Sequence, residues 1–183
     1  MTSLLAQAGL MITESIAGFL TILLLLRFFM QLFRVPFGNQ VGHFVLQLTN
    51  WLVLPLRKII PSAAGLDLAS LIPAYLLQVM VILIAAAVHS GVAVLGLDGA
   101  VLLILWRSVL AILRLSLYLL IGLLLLQAIL SWVSPYSPLS RPISQMTQPF
   151  LRPIQRIVPP LGVIDLSPLI AILLAQVVLI FLQ

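Results

Sequence analysis

The sequence predicts an all-α membrane protein in which four transmembrane helices form two parallel tandem repeats. Each repeat reads as a span, an amphipathic or re-entrant cytoplasmic segment, and a second span. Three observations predict this. The composition is too apolar for a soluble surface, four apolar runs reach spanning length, and an internal repeat pairs polar and proline positions as well as apolar ones.

Hydrophobic residues make up 63% of the 183 and charged residues only 7%. A soluble domain is roughly one quarter charged, so a folded soluble enzyme is excluded. A disordered chain needs low hydrophobicity and high net charge, and the mean hydropathy here is +1.28. The net charge of +5 reads as a bias of basic residues toward the cytoplasmic loops. No basic patch with interleaved exposed aromatics is present, so no nucleic-acid partner is expected. The absence of cysteine excludes disulfides, thiolate metal sites and thiol nucleophiles.

The first span is Leu4 to Phe33, with Glu14 and Arg27 inside it. Met1-Thr2-Ser3 carries no Lys or Arg, and the run is too long for a signal-peptide core, so it reads as a retained helix. A proline-bearing connection, 34–66, follows. Within it Val41, Phe44, Val45, Leu48, Trp51 and Leu52 fall at helical spacing, with His43, Gln47 and Asn50 opposite. That pattern is an amphipathic segment, either lying on the leaflet or re-entrant. The second span is Leu68 to His89, and a short connection around 92–99 carries only Asp98. The third lies within Ala100 to Val133, with Arg107 and Arg114 in its first half. A second long connection, 134–164, holds the stripe Leu139, Ile143, Met146, Phe150, Ile154 and Ile157, which Pro149 and Pro153 are expected to break. The fourth span is Leu166 to Gln183. Helices of about 20 residues cross the roughly 30 Å hydrocarbon layer. The runs lack the alternation of barrel strands.

A shift of 98 residues superimposes 45–85 on 143–183. It pairs Gln47 with Gln145, Thr49 with Thr147, Pro55 with Pro153, Pro61 with Pro159, Asp67 with Asp165 and Gln78 with Gln176. A shift of 100 pairs Leu23–Phe29 with Leu123–Ile129. The repeats are therefore 1–91 and 100–183, joined by 92–99. Each crosses twice, so both long connections lie on one side. They carry Arg34, Arg57, Lys58, Arg141, Arg152 and Arg156, which places them in the cytoplasm and both termini outside. Two crossings per unit make the repeats parallel, not inverted.

Several residues are candidates for function. Glu14 aligns with Arg114 at equal depth, so an intramembrane ion pair between the repeats is expected, with Arg27 as the other possible partner of Glu14; the sharper reading is a substrate or proton site. Gln78 and Gln176 fall near mid-membrane, as interhelical glue or as a polar pathway. Pro55-Leu-Arg57-Lys58-Ile-Ile-Pro61 and Pro153-Ile-Gln-Arg156-Ile-Val-Pro159 place Lys58 and Arg156 at headgroup level, where anionic lipid attracts a cation by about 1 kcal/mol. Asp67 and Asp165 read as N-caps of the spans they precede. His43 and His89 are one span apart and form no ligand pair. No cofactor and no catalytic set is expected.

The doubled pattern Thr-x(5)-Pro-x-x-basic-x-x-Pro-x(5)-Asp-Leu resembles the YggT/YlmG family of bacterial and chloroplast membrane proteins. It is carried by Thr49, Pro55, Lys58, Pro61, Asp67 and Leu68, and by Thr147, Pro153, Arg156, Pro159, Asp165 and Leu166. The first copy departs at Ala69-Ser70, where Ser-Pro is usual. Two copies in one chain resemble the proteobacterial form. The resemblance implies a location in the bacterial inner membrane and no catalytic activity. It also implies links with osmotic or ion tolerance, cell-division gene neighbourhoods, haem attachment to cytochrome b6 and nucleoid organisation in plastids. The resulting expectation is a non-enzymatic accessory or scaffold protein that organises membrane complexes through its cytoplasmic segments. Anionic lipid headgroups and a membrane protein are its expected partners, and self-association is left open. The alternative is an ion or small-solute pathway between the repeats. A haem-handling role would rest on the resemblance alone.

Overall fold

The computed structural model describes residues 4–60, 66–91, 98–134, 137–157 and 165–182. Among them the chain forms six helices: α1 (Leu4–Leu32), α2 (Gln40–Ile59), α3 (Leu68–Ser90), α4 (Ala100–Val133), α5 (Ser140–Ile157) and α6 (Ser167–Phe181). Three of them, α1, α3 and α4, are long and apolar enough to cross a membrane. The fourth expected span is shorter. The 15 residues of α6 rise about 22 Å, which is less than the hydrocarbon thickness. At about 51 Å, the 34-residue α4 is longer than that layer. Large apolar side chains are exposed along these helices, among them Phe19, Leu102, Leu103, Trp106 and Ile180. Such continuous apolar surface suits lipid and not water.

The packing has two matching halves. α1 packs on α2 and α3, and α4 packs on α5 and α6. In the first half Leu24, Val53, Ala69 and Ala74 form a buried cluster. In the second, Leu124, Leu151, Ala171 and Ile172 do. Leu24 and Leu124, Val53 and Leu151, and Ala74 and Ile172 are equivalent under the sequence shifts. A third cluster of Met30, Val35, Val45 and Met146 joins the halves where α2 and α5 approach α1. Phe33 and Phe150 add an edge-to-face contact across the same junction, with centroids 5.9 Å apart.

α1 is closed off just past its end by Arg34, which adopts φ 55° while the Val35 N–H reaches the Met30 carbonyl at 2.8 Å. This is the closure that a glycine usually supplies. The Asn39 side chain then caps α2 by accepting from the Gly42 N–H at 2.9 Å. Gly42 is required here, because a Cβ would lie 2.4 Å from the Phe37 carbonyl oxygen.

Two expectations are corrected. The prolines do not break the amphipathic segments: α2 runs through Pro55, and α5 runs through Pro149 and Pro153. All three prolines lie on exposed faces, where the carbonyl that each leaves unbonded stays open to solvent or headgroups. The buried stripe of α2 is also rotated from the expected one. It comprises Gly42, Val45, Thr49 and Val53, while Phe44 and Trp51 face outward. The polar Thr49 is buried because it has a partner on α1, described next. Pro61 and Pro159 lie outside the described residues.

Candidate polar clamp between spans and amphipathic helices

Arg27 lies five residues before the end of α1 and is 1% exposed. A buried guanidinium must be paired or its desolvation is uncompensated. One of its terminal nitrogens donates to Thr49 Oγ1 at 2.7 Å and to Asn50 Oδ1 at 2.9 Å, both on α2. Its Nε lies 4.0 Å from Asp67 Oδ2 and has no hydrogen-bond partner. Asp67 is itself 2% exposed. Its Oδ2 accepts from Arg57 at 2.8 Å and from the Ser70 hydroxyl at 2.7 Å. Arg57 also donates to Gln31 Oε1 at 2.8 Å. Two guanidiniums and one carboxylate therefore tie α1, α2 and the start of α3 into one cluster. Low local dielectric strengthens the pairs and raises the cost of breaking them.

The second half repeats the geometry with neutral groups. Gln127 on α4 stands where Arg27 stands on α1, and the Thr147 hydroxyl donates to its side-chain carbonyl. Thr147 also reaches the Ile143 carbonyl at 3.0 Å, as Thr49 reaches Val45 at 2.6 Å. Gln155 stands where Arg57 stands and donates to Asp165 Oδ2 at 2.9 Å. Both amphipathic helices are thus clamped at the same point, by arginines in one half and glutamines in the other.

The expected capping roles change accordingly. Asp67 occupies the N-cap position of α3, but its carboxylate makes no cap hydrogen bond, because two arginines and Ser70 take it. Asp165 sits one residue before the N-cap of α6 and accepts from the Ser167 N–H at 2.9 Å. Partial burial pushes the Asp165 pKa up. Hydrogen bonds from Ser167 and Gln155 outweigh that and hold it below the usual carboxylate value.

The structure does not bring Glu14 and Arg114 together. Glu14 is exposed on α1, while the Arg114 guanidinium donates to the Leu182 carbonyl at the end of α6. Equal depth in two parallel units does not put side chains on facing sides, and α1 buries its opposite stripe against α3. Nor does Arg27 turn to Glu14, since Asp67 and Thr49 take it. Gln78 is buried and donates to Thr21 Oγ1 at 3.0 Å across α1 and α3. Gln176 is exposed on α6. The difference has a visible cause: Thr21 is replaced by Ile121 in the second half. Lys58, Pro55, Pro153 and Arg156 are exposed on the outer faces of α2 and α5. Among the described residues no three His, Cys, Asp or Glu side chains gather into a metal-holding group.

The Arg27–Thr49–Asp67 cluster went unrecognised in the sequence. Its signal was there: inside two otherwise alike leucine runs, Arg27 and Gln127 are the polar residues at the same register.

Comparison with known proteins follows the same division. A family model described as CCB3/YggT matches residues 6–88 and 106–183, one segment in each half. An uncharacterized protein of Pseudomonas aeruginosa is 36% identical over 95% of this chain and 87% of its own length. The YggT protein of Escherichia coli K12 is 36% identical over 86% of this chain and 80% of its own. A Vibrio alginolyticus protein encoded 3′ of proC is 38% identical over 80% and 77%. No solved structure matches.

Proposed function

The chain belongs to the CCB3/YggT family, and on that premise we propose that it is a non-enzymatic scaffold of the bacterial cytoplasmic membrane. In this reading α6 is the fourth span, α2 and α5 lie together on the cytoplasmic side, and both termini lie outside. The outer faces of α2 and α5 hold anionic lipid headgroups and dock a membrane protein partner.

One observation carries the proposal. Both amphipathic helices are fixed to the spans from within, by Arg27 on Thr49 and by Gln127 on Thr147. Their outer faces are left unpartnered, and they differ. That of α2 presents Phe44, Trp51 and Lys58, and that of α5 presents Arg141, Arg152 and Arg156. Aromatic anchors beside cations suit the interface of an anionic leaflet. A rigid, inward-clamped helix with such a face is a presentation surface.

The pathway reading has less support. Gln78 is engaged by Thr21, Gln176 is exposed, and Glu14 and Arg114 are apart. The cavity between α1 and α4–α6, about 380 Å³, is lined almost entirely by apolar side chains such as Phe29, Leu117, Leu120 and Val178. A solute path needs water or polar lining at that depth.

Crosslinking in native membranes tests the proposal. The tagged protein is recovered in mild detergent beside a Lys58→Glu/Arg156→Glu variant, and both are analysed by mass spectrometry. The proposal expects one stoichiometric membrane protein with the parent chain and its loss, at unchanged thermal stability, from the variant. Equal recovery from both chains, or no partner from either, would overturn it.

A further inference from the structure

The end of the bundle away from α2 and α5 holds a second polar feature that the scaffold reading does not use. A cavity of about 570 Å³ opens between the end of α3 and the first half of α4. Its lining brings together His89, Arg107 and Arg114, amid small side chains such as Ala86 and Ala111 and aliphatic ones such as Leu103. Arg107 lies about 10 Å, and Arg114 about 21 Å, of helical rise inside α4, within the stretch Ala100–Ser131 that is apolar enough to cross a membrane. Seven residues apart, they share one helix face.

Arg107 is exposed on α4 and Arg114 meets the end of α6, so in the four-span reading both stand toward the outer interface, where an exposed guanidinium suits an anionic headgroup. Among the described residues no carboxylate lines this cavity. Asp67 is engaged by the arginines at the other end, Asp165 by Gln155, Glu14 is on α1, and Asp98 is exposed in the turn before α4 without lining the cavity. Arg107 makes no hydrogen bond or ion pair among the described residues, so its five donors are uncommitted. The His89 ring has a fixed orientation in this lining. Its Nδ1 lies 2.8 Å from the Ala85 carbonyl, an acceptor, so Nδ1 carries the hydrogen and the ring is held in place. Arg114 is steadied by the Leu182 carbonyl.

We propose that this cavity binds the phosphate of an anionic phospholipid, with Arg107 as its principal contact, His89 and Arg114 flanking it, and the aliphatic lining taking the adjoining acyl chains. A guanidinium matches phosphate geometry with paired donors. The mixed lining, cationic along one strip and aliphatic around it, is that of a headgroup attached to a tail. A free phosphate shares the headgroup chemistry but not the need for aliphatic walls.

Native mass spectrometry of the full chain in neutral detergent tests this, with phosphatidylglycerol, phosphatidylcholine and inorganic phosphate as probes. Three variants are compared: Arg107→Gln, Arg107→Lys and the cavity-filling Ala111→Leu. Phosphatidylglycerol is expected to be retained over phosphatidylcholine. Retention should fall about tenfold in Arg107→Gln, as the loss of a charge-assisted hydrogen bond implies. It should fall in Ala111→Leu and recover in part in Arg107→Lys. Phosphate that binds the parent chain but not Arg107→Gln, without lipid preference, would support the anion site with a soluble source. Phosphatidylglycerol retained equally by the parent chain and both Arg107→Gln and Ala111→Leu would overturn the proposal. So would retention lost only on changing Lys58 and Arg156.

Discussion

Arg27 and Gln127 occupy equivalent positions on α1 and α4, and each hydrogen-bonds the threonine of the amphipathic helix that follows it. The same join is made once with charge and once without. The charged version needs Asp67 and Arg57 to balance it, and the neutral version leaves Asp165 to Gln155 and the start of α6. The first half therefore depends on an ionic network that the second half does not have.

Removing the anion should expose that dependence. Asp67→Asn leaves Arg27 buried beside a neutral group, and breaking a buried pair in this way costs about 3–5 kcal/mol. Asp165→Asn disturbs hydrogen bonds at a partly exposed site and should cost only about 1 kcal/mol. Unfolding of the two variants in the same detergent checks the difference.

Arg27→Gln installs the second half's residue in the first. Glutamine keeps a hydrogen bond toward Thr49, and Asp67 keeps Arg57 and Ser70. The variant should therefore lose clearly less stability than Asp67→Asn in the same unfolding measurement, although it removes a whole charge.

Gln78 and Gln176 should separate. Gln78→Leu breaks an interhelical hydrogen bond worth roughly 0.6–1 kcal/mol in a membrane helix pair. Gln176→Leu places an apolar group on an exposed apolar face and should be neutral or stabilising. Paired melting curves read both.

Met146 is fully buried where the halves meet, against Met30, Val35 and Val45. Met146→Ala should cost about 2–5 kcal/mol. The loss should appear as early dissociation of α5, detectable by limited proteolysis near Arg152 and Arg156.

Asp165 supplies a pH dependence with a definite sign. Its pKa is held below the usual carboxylate value, so its ionised form stabilises the fold. That contribution is complete above the unfolded carboxylate pKa of about 3.9 and is lost as pH falls through the lowered folded value. The melting-temperature gap between the parent chain and Asp165→Asn should be constant from neutral pH to about pH 5, and should close below about pH 4.

Much of the architecture was legible in the sequence, because apolar length and the repeat are long-range patterns. The bounds of α1, α3 and α4 follow from composition alone. Which face of a helix meets its neighbour was less legible. Glu14 and Arg114 match in depth, yet depth does not fix azimuth, and Arg114 turns to Leu182. Pro149 and Pro153 read as breakers because their position on an open face, where freed carbonyls are tolerated, is a tertiary fact. Thr49 reads from the sequence as part of the repeated motif, but its partner lies 22 residues away on another helix. Local spacing carries no record of such a contact.

The central claim is that two parallel units place α2 and α5 on the same cytoplasmic face. The chain has no cysteine, so single cysteines report without background. Lys58→Cys on α2, Gln148→Cys on α5 and Asp98→Cys before α4 are exposed positions. They can be probed with a membrane-impermeant maleimide in cells with an intact inner membrane and after its permeabilisation. The account expects the first two to react only after permeabilisation and Asp98→Cys to react before it. Labelling of Lys58→Cys and Gln148→Cys from opposite sides would contradict it, because α2 and α5 would then not share a face.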